Sequence, residues 1–495
     1  MNEKSKSPIT SIEYNLPENT KDSDLHKFAK SDDSKIVAIM GLGFVGTAMS
    51  LVVANSKSNY KVIGVDQNTV QGYWKIGDIK NGLLPIKSSD PKMKEYFDTA
   101  KEKQNLFATY DPSAYEYADV IIVDINLDVE KRENDEHIDY SVDLSGFKSA
   151  IKSLGSRCKE NALILVETTV PPGTCEKVIK PIIQAEFEKR NINFENLAIG
   201  HSYERVMPGP NYINSIKNFY RVFSGINNTS AERVKHFLKT IISTNEYPLT
   251  QLRNTNSTEL AKVLENSYRA MNISFMVEWS RFAEVSNIDL YEVVNAIKMR
   301  PTHSNMMYPG IGVGGYCLTK DPLLASWASQ EFFGQSEGLN YSEKAVFTND
   351  KMPFFCAHYI VDLIEKSGIK NPKLALLGVA YGPGIGDTRF TPVKKVFNIL
   401  KECNEVICHD PYVDFWEEEN LHLTNGIDEI IGSGCDFIVI TTGHKYYVES
   451  INLFDMIKDQ KKLPIIIDTV GLLDFNDFKM KYTRGVNFFV LGTGN

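Results

Sequence analysis

Lys35-Ile36-Val37-Ala38-Ile39-Met40-Gly41-Leu42-Gly43-Phe44-Val45-Gly46 is the stretch that decides the fold. Its first half is a short, β-rich apolar run and its second half a Gly-x-Gly-x-x-Gly turn. Thr47 to Ala54 reads as a helix. A second apolar run, Lys61-Val62-Ile63-Gly64-Val65, ends on Asp66, twenty positions after Gly46. Strand, glycine turn, helix, strand, acid is the order of a dinucleotide-binding βαβ unit. Gly41 makes the tight turn, Gly43 lets backbone approach a pyrophosphate, and Gly46 lets helix pack closely on sheet. Phe44 and Val45 lie in the turn, where the helix start offers unpaired N–H donors to phosphate oxygens. Asp66 is placed to accept hydrogen bonds from the hydroxyls of an adenosine ribose. It repels a 2′-phosphate, and Gln67-Asn68 offers no cation to offset that. The expected cofactor is NAD rather than NADP.

Outward from this unit, 495 residues exceed one ordinary core, so two or three domains are expected. A net charge of -9 argues against a general nucleic-acid binder, which needs a basic footprint. No run of about 18 apolar residues is present, so no membrane span is expected. The seven cysteines lack a CxxC pair, which fits reduced thiols in a cytoplasmic protein and no structural zinc or other metal site. Residues 1–34 are polar, mixed in charge and lack the apolar stretch of a signal peptide. They read as a mostly disordered tail or a variable extension.

Further strands follow at Asp119 to Asp124, Ala162 to Val166 and Leu197 to Gly200. The second of these leads into Glu167-Thr168-Thr169-Val170-Pro171-Pro172-Gly173-Thr174, which sets polar side chains at a strand's C-terminal end, where α/β sheets bind ligands. The third leads into His201-Ser202-Tyr203-Glu204-Arg205-Val206-Met207-Pro208-Gly209; by itself the Glu204–Arg205 pair reads as solvated charge. Asn256 reads as a helix cap, with Glu259 completing a capping box. The helix that follows carries Leu260, Leu264, Met271 and Phe275 on one stripe, with Lys262 and Asn266 four apart on another face. That apolar helix between two α/β units is a natural element for a homodimer. Met299-Arg300-Pro301 and Tyr308 precede Pro309-Gly310-Ile311-Gly312-Val313-Gly314-Gly315-Tyr316-Cys317-Leu318-Thr319-Lys320-Asp321. A thiol on such a loop, with a lysine close by, is either a nucleophile or an incidental cysteine in a turn. The helical pattern thins from Asn340 to Pro372. A second α/β unit then begins with strands at Lys373 to Gly378, Glu405 to Cys408, Phe437 to Thr441 and Pro464 to Asp468. It lacks a Gly-x-Gly-x-x-Gly turn, so the nucleotide part of a substrate is expected there rather than a second dinucleotide.

Gly-Leu-Gly-Phe-Val-Gly (41–46), Thr-Thr-Val-Pro-Pro-Gly-Thr (168–174), Leu-Ala-Lys-Val-Leu-Glu-Asn (260–266), Gly-Gly-Tyr-Cys-Leu-Thr-Lys-Asp (314–321) and Asp-Thr-Arg (387–389), with Glu204 in its loop, stand in this order. Together they resemble the UDP-glucose/GDP-mannose dehydrogenase family of NAD-dependent nucleotide-sugar 6-dehydrogenases. The resemblance runs from Lys35 to the C-terminus. It implies two Rossmann-like doubly wound α/β domains joined by a long central helix. The parts would be a tail (1–34), an NAD-binding domain (35–225), a central helical, dimerising and catalytic region (226–370) and a nucleotide-sugar-binding domain (371–495). Carried over residue by residue, Cys317 captures the aldehyde intermediate, and Thr169 and Glu204 hold and activate water. Lys262 and Asn266 stabilise the oxyanion, and Asp321 supports Lys262 or the proton transfers. Lys320 and Arg389 approach NAD from the second half of the site. Gly314, Tyr308, Arg205 and Arg300 belong to the sugar-nucleotide side, Arg300 toward a partner subunit.

There are departures from the family pattern. Tyr203 stands for the proline common before the glutamate, Gly382 for a lysine that contacts the diphosphate, and Val470-Gly471 for an arginine–asparagine pair. Asp124-Ile125-Asn126 replaces a proline-containing turn beside the cofactor. The run after Glu204 is similar to the N-acetylhexosamine branch. The implied activity is four-electron oxidation of a UDP-N-acetylhexosamine to a uronic acid for polysaccharide synthesis. UDP-glucose is the nearer alternative. A two-electron hydroxyacid dehydrogenase and an inactive nucleotide-sugar-binding protein are the more distant ones.

Overall fold

In the computed structural model, the described residues are 3–132, 134–205, 209–424, 426–451, 453–457, 462–473 and 487–494. The strands are β1 (Lys4–Lys6), β2 (Glu13–Asn15), β3 (Ile36–Met40), β4 (Lys61–Val65), β5 (Leu106–Thr109), β6 (Val120–Val123), β7 (Val129–Arg132), β8 (Asp139–Val142), β9 (Leu163–Val166), β10 (Ala198–His201), β11 (Val222–Gly225), β12 (Thr250–Gln251), β13 (Lys373–Leu377), β14 (Glu405–His409), β15 (Phe415–Trp416), β16 (Leu421–His422), β17 (Phe437–Ile440), β18 (Ile465–Asp468) and β19 (Phe488–Val490). The helices that matter below are α1 (Ser23–Ala29), α2 (Phe44–Ala54), α3 (Tyr73–Lys80), α4 (Thr255–Ser286), α5 (Asp321–Glu331) and α6 (Asn340–Ser367).

The chain divides into two units. One comprises Met1–Glu130, Ser141–Leu264 and Trp327–Ser336; the other comprises Lys131–Tyr140, Glu265–Ser326 and Glu337–Asn495. The first unit is built on an eight-stranded sheet in the order β12-β11-β10-β9-β6-β3-β4-β5. From β5 to β10 all neighbours run parallel. The strand order reverses between β3 and β6, the switch point where an open α/β sheet binds its ligand. Val37 and Ile39 bury into one apolar layer, Ala38 and Met40 into the other. A parallel strand covered by helices on both faces needs that continuous hydrophobicity. The second unit carries a parallel five-stranded sheet, β14-β13-β17-β18-β19, again with apolar layers on both faces.

Three expectations are corrected. Residues 4–29 are not a disordered tail. β1 and β2 pair as an antiparallel hairpin, and Leu25 and Ala29 of α1 bury in the core of the first unit. The stretch from Asn340 to Pro372 is mostly the single helix α6, which runs straight through Pro353. Proline there removes one backbone donor and normally breaks a helix. Burial of Met352, Cys356, Ala357 and Ile360 around it holds the helix together. Finally, the cap of α4 is Asn254, not Asn256: Asn254 Oδ1 accepts from Ser257 N at 2.9 Å. Glu259 closes no capping box. Fully buried, it accepts from Gly173 N at 2.6 Å and Cys175 N at 2.8 Å, tying α4 to the Pro-Pro-Gly turn. Burial pushes its carboxyl up to about 7.

Candidate active site

The glycine turn at the switch point of the first sheet fits a dinucleotide. Gly41 has φ +100°, and a Cβ there would lie 2.6 Å from Asp124 O. A Cβ on Gly46 would lie 1.9 Å from Gly41 O. A Cβ on Gly43, by contrast, would meet nothing within 4 Å. That is the open face a pyrophosphate requires, at the start of α2, where Gly43 makes no side-chain cap. Phe44 and Val45 are half-buried in the first turn. Asp66 ends β4 with Oδ2 accepting from Leu42 N at 3.0 Å, so the acid and the glycine turn are hydrogen-bonded to each other.

One expectation about Asp66 is corrected: a cation does stand beside it. Lys75, near the start of α3, places Nζ 2.7 Å from Asp66 Oδ2. Nine positions away in sequence, it is brought back by the fold of the intervening loop. A lysine in the first turn of the helix after an acidic strand end is the signal that would have found it.

Beyond the glycine turn, β10 leads to Glu204, 8% exposed, beneath Lys262. Lys262 Nζ donates to Glu204 O at 3.2 Å and lies 4.0 Å from Glu204 Oε1. It also sits 5.3 Å from the centre of the Tyr203 ring. Thr169 is half-buried in the turn after β9. Below lies a buried charged layer that the sequence did not reveal. Arg221 Nη1 donates to Glu167 Oε1 at 2.6 Å with both side chains sealed from solvent. Burial, reinforced by the Glu167 and Glu204 charges, raises the Asp124 carboxyl far above its ordinary range. Burial and the Lys262 ammonium pull His201 down to about 3, so it is a neutral ring. Arg205 packs its guanidinium 5.2 Å from the Phe219 ring. Val206 to Pro208 lie outside the described residues.

In the second unit, Cys317 is exposed on its loop. Gly315, at φ +77°, donates N–H to Arg389 O at 3.2 Å. Cβ atoms on Gly314 or Gly315 would run into Tyr381 at 2.6 and 2.8 Å, so only glycine lets the loop lie this close. The loop then passes into α5, whose first residue is Asp321. Asp321 N donates back to Cys317 O at 2.9 Å. The fully buried Asp321 carboxylate accepts from Asn266 Nδ2 at 2.6 Å and pairs with Lys320 Nζ at 2.9 Å. Asp321 therefore holds Asn266, Lys320 and the cysteine loop together. Arg389 is gripped by Asp387 through Nε at 2.9 Å and Nη2 at 2.6 Å. Tyr308 stacks on Tyr291 and donates to Asn295 Oδ1 at 2.6 Å. Arg300 is exposed ahead of a short 3-10 turn.

A dinucleotide turn on one doubly wound sheet, a second doubly wound sheet, a lysine on a glutamate and a thiol on a glycine loop define an NAD-dependent nucleotide-sugar dehydrogenase. The chain belongs to the UDP-glucose/GDP-mannose dehydrogenase family. It matches that family's NAD binding domain over residues 35–242, its central domain over 256–351 and its UDP binding domain over 375–475. It is 29% identical over 477 residues to the UDP-N-acetyl-D-mannosamine dehydrogenase of Methanocaldococcus jannaschii, covering 94% of this chain and 99% of that protein. It is 28% identical over 464 residues to the protein of that name from Methanococcus maripaludis strain C7, covering 93% and 98%. The solved UDP-D-ManNAc dehydrogenase of Pyrococcus horikoshii superposes with a TM-score of 0.74 at 26% identity, covering 93% of this chain and 99% of that one.

Proposed function

We propose that this chain oxidises the C6 hydroxyl of a UDP-N-acetylhexosamine to the carboxylate, with the N-acetylmannosamine configuration the first to test. The product is a uronic acid for polysaccharide synthesis, made in the cytoplasm. The relatives' names support the sugar class. The observation that carries the chemistry is the exposed Cys317 on a loop whose next helix opens with Asp321 holding Asn266. Bound NAD supplies the hydride acceptor for each of two oxidations. In the first, the C6 hydroxyl passes its proton to water and C6 its hydride to NAD, while the Lys262 ammonium and Asn266 amide steady the oxygen as charge develops on it. The Cys317 thiolate then adds to the aldehyde carbon, forming a C–S bond and a thiohemiacetal that can lose a second hydride to become a thioester. Glu204 takes a proton from water, with Thr169 holding that water. The hydroxide adds to the thioester, the C–S bond breaks, and the thiolate returns.

The test counts NADH per sugar across UDP- and GDP-sugars. Two NADH per UDP-N-acetylhexosamine supports the reading; one NADH per sugar with a free aldehyde product overturns it. Cys317→Ala abolishes acid formation. A Cys317→Ala variant that keeps full NAD-reducing activity returns the assignment to a two-electron hydroxyacid dehydrogenase. Lys262→Ala lowers kcat by about 100-fold or more, the scale of one lost oxyanion donor.

The same reading includes a homodimer. Leu260, Leu264, Tyr268, Met271, Phe275, Trp279 and Phe282 are all exposed along α4, at successive spacings of three or four. The stripe the sequence marks is thus uncovered in a single chain, and a second copy of the helix fits it. Light scattering should give twice the chain mass, and Phe275→Glu should return it to one.

A further inference from the structure

The N-terminal segment precedes the matched NAD binding domain, yet it is fastened to the loop and helix that follow Asp66. Ser5 Oγ accepts from Trp74 N at 2.9 Å and donates to Val70 O at 2.6 Å. It therefore caps α3, whose own preceding residue, Gly72, has no side chain to do so. Pro17 O accepts from Asn68 Nδ2 at 2.9 Å, in the loop just after Asp66. Behind these contacts, Ser7 Oγ and Tyr14 OH both donate to the fully buried Asp78 of α3, at 2.7 and 2.5 Å. The Tyr14 ring lies so close over Gly77 that a Cβ there would be 2.7 Å away. At the far end of α3, Lys80 Nζ pairs with Asp22 at 2.6 Å, and Asp22 also accepts from Thr109 Oγ1 of β5 at 2.8 Å.

Helix α3 carries Lys75, and Lys75 holds Asp66. With Leu42 N and Lys75 Nζ on Oδ2 and Gln67 N on Oδ1 at 2.7 Å, the carboxylate has one orientation. The chain of contacts runs from Ser5 and Tyr14 through α3 and Lys75 to the acid. We propose that residues 5–22 are a positioning brace for the ribose-binding carboxylate. By holding α3 they hold Lys75, by holding Lys75 they orient Asp66, and so they set the affinity for NAD. Ser5, Tyr14 and Lys75 are positioning residues; Asp66 is the one that touches cofactor. The proposal rests on the NAD-binding reading of this turn and extends it to a segment outside the matched domain.

The test is calorimetric titration of NAD and, separately, of UDP into the full chain. Ser5→Ala, Tyr14→Ala and Lys75→Met should each raise the NAD Kd by about five- to tenfold, with the UDP Kd within twofold of the parent. The KM for NAD should rise in step, while kcat at saturating NAD stays within twofold. Lys75→Arg should restore binding. The discriminating measurement is a double-mutant cycle. If Ser5 acts through the acid, adding Ser5→Ala to Asp66→Ala changes the NAD Kd no further; if the two losses simply add, the brace is only structural and the proposal falls. Unchanged NAD affinity in all three single variants also overturns it, as does an equal loss of UDP affinity. A parent chain that fails to bind NAD would instead sink the reading of the turn. Should Tyr14→Ala not fold, Ser5→Ala and Lys75→Met carry the test alone.

Discussion

The first strand of each large sheet ends in a glycine at φ +100°, Gly41 in one unit and Gly378 in the other. In each, the next strand ends in an aspartate that accepts backbone N–H groups from the turn. Asp66 takes Leu42 N at 3.0 Å; Asp410 takes Val379 N at 2.8 Å and Ala380 N at 3.0 Å. From there the two regions diverge. In the first, α2 starts at Phe44 and brings its N-terminal donors to the turn. In the second, the next helix starts only at Val393, fifteen positions after Gly378, and not at the turn itself. Asp410 is also sealed. Tyr412 N donates to Oδ1 at 2.9 Å and His444 Nε2 contacts Oδ2 at 3.0 Å, with both side chains of that pair fully buried. Since His444 Nδ1 accepts from Gly384 N at 3.0 Å, its proton sits on Nε2, facing the carboxylate. The same topological position thus leaves its acid beside a partly exposed lysine in one sheet and seals it against a buried histidine in the other. What separates them is where the following helix begins and whether the acid's side-chain partner, Lys75 or His444, is sealed.

The largest expected effect comes from closing the two glycine turns. Gly46→Ala sets a methyl group against the Gly41 carbonyl, where the backbone must move. Local strain of about 3 kcal/mol corresponds to roughly 100-fold in NAD Kd, with UDP binding retained. Gly378→Ala, at φ +100° and with Thr442 Cβ 2.4 Å from the new carbon, should instead destabilise the second sheet and leave NAD affinity unchanged. Calorimetry with NAD and urea unfolding of both variants read this directly; a Gly378→Ala chain that loses NAD affinity as much as Gly46→Ala would break the comparison. Next in size are the two aspartates. Asp410→Asn takes a charge from four donors in a buried site and should cost about 2–3 kcal/mol of stability, read by urea unfolding. Asp66→Asn should cost little stability and about tenfold in NAD affinity, roughly 1.4 kcal/mol. If Asp66→Asn destabilises the chain as much as Asp410→Asn, the distinction between ligand-serving and fold-serving acids fails.

The parts of this molecule that were legible in the sequence are those where local pattern and tertiary role coincide. β3, the glycine turn, α2, β4 and Asp66 lie within about thirty residues, and every one of their signals is short-range. β13, β14, β17 and β18 of the second sheet were readable for the same reason, as short apolar runs; β19 was not. What escaped depends on partners far away in the chain. Ser7 and Tyr14 meet Asp78 from 71 and 64 positions away, and nothing in a polar hairpin announces a buried acid waiting for it. Glu259 looked like half of a capping box because the spacing fits; its real partners, Gly173 and Cys175, are more than eighty residues upstream. From Asn340 to Pro372 the helical pattern thins in the sequence, yet a single helix spans most of it, with Met352, Cys356, Ala357 and Ile360 buried. Among the candidate catalytic residues the types were readable. Asp321's partners, Asn266 and Lys320, were not, because that carboxylate's orientation is set by burial.

The smallest predicted effect sharpens the comparison through pH. The first unit holds His201, whose folded-state value of about 3 lies below its ordinary 6.5 because burial and Lys262 disfavour the imidazolium. The unfolded chain therefore binds the proton first, and stability that is complete above pH 6.5 declines as pH falls toward 3. The second unit holds Asp468, which burial pushes up to about 6 from 3.8 despite backbone N–H groups from Leu473 and Val470. Here the folded state keeps the proton longer, so stability complete below about pH 4 declines as pH rises to 6 and is flat beyond. Between pH 5 and 6 the two slopes oppose each other, each at most about 1.4 kcal/mol per pH unit. Thermal unfolding with NAD or with UDP present, to mark which transition belongs to which unit, should show the two transitions moving in opposite directions across that window. His201→Phe should flatten only the NAD-shifted one, and Asp468→Asn only the UDP-shifted one. Parallel movement of both transitions in the unsubstituted chain would mean that neither buried group governs its unit, and the contrast between the two regions would then reach no further than their ligands.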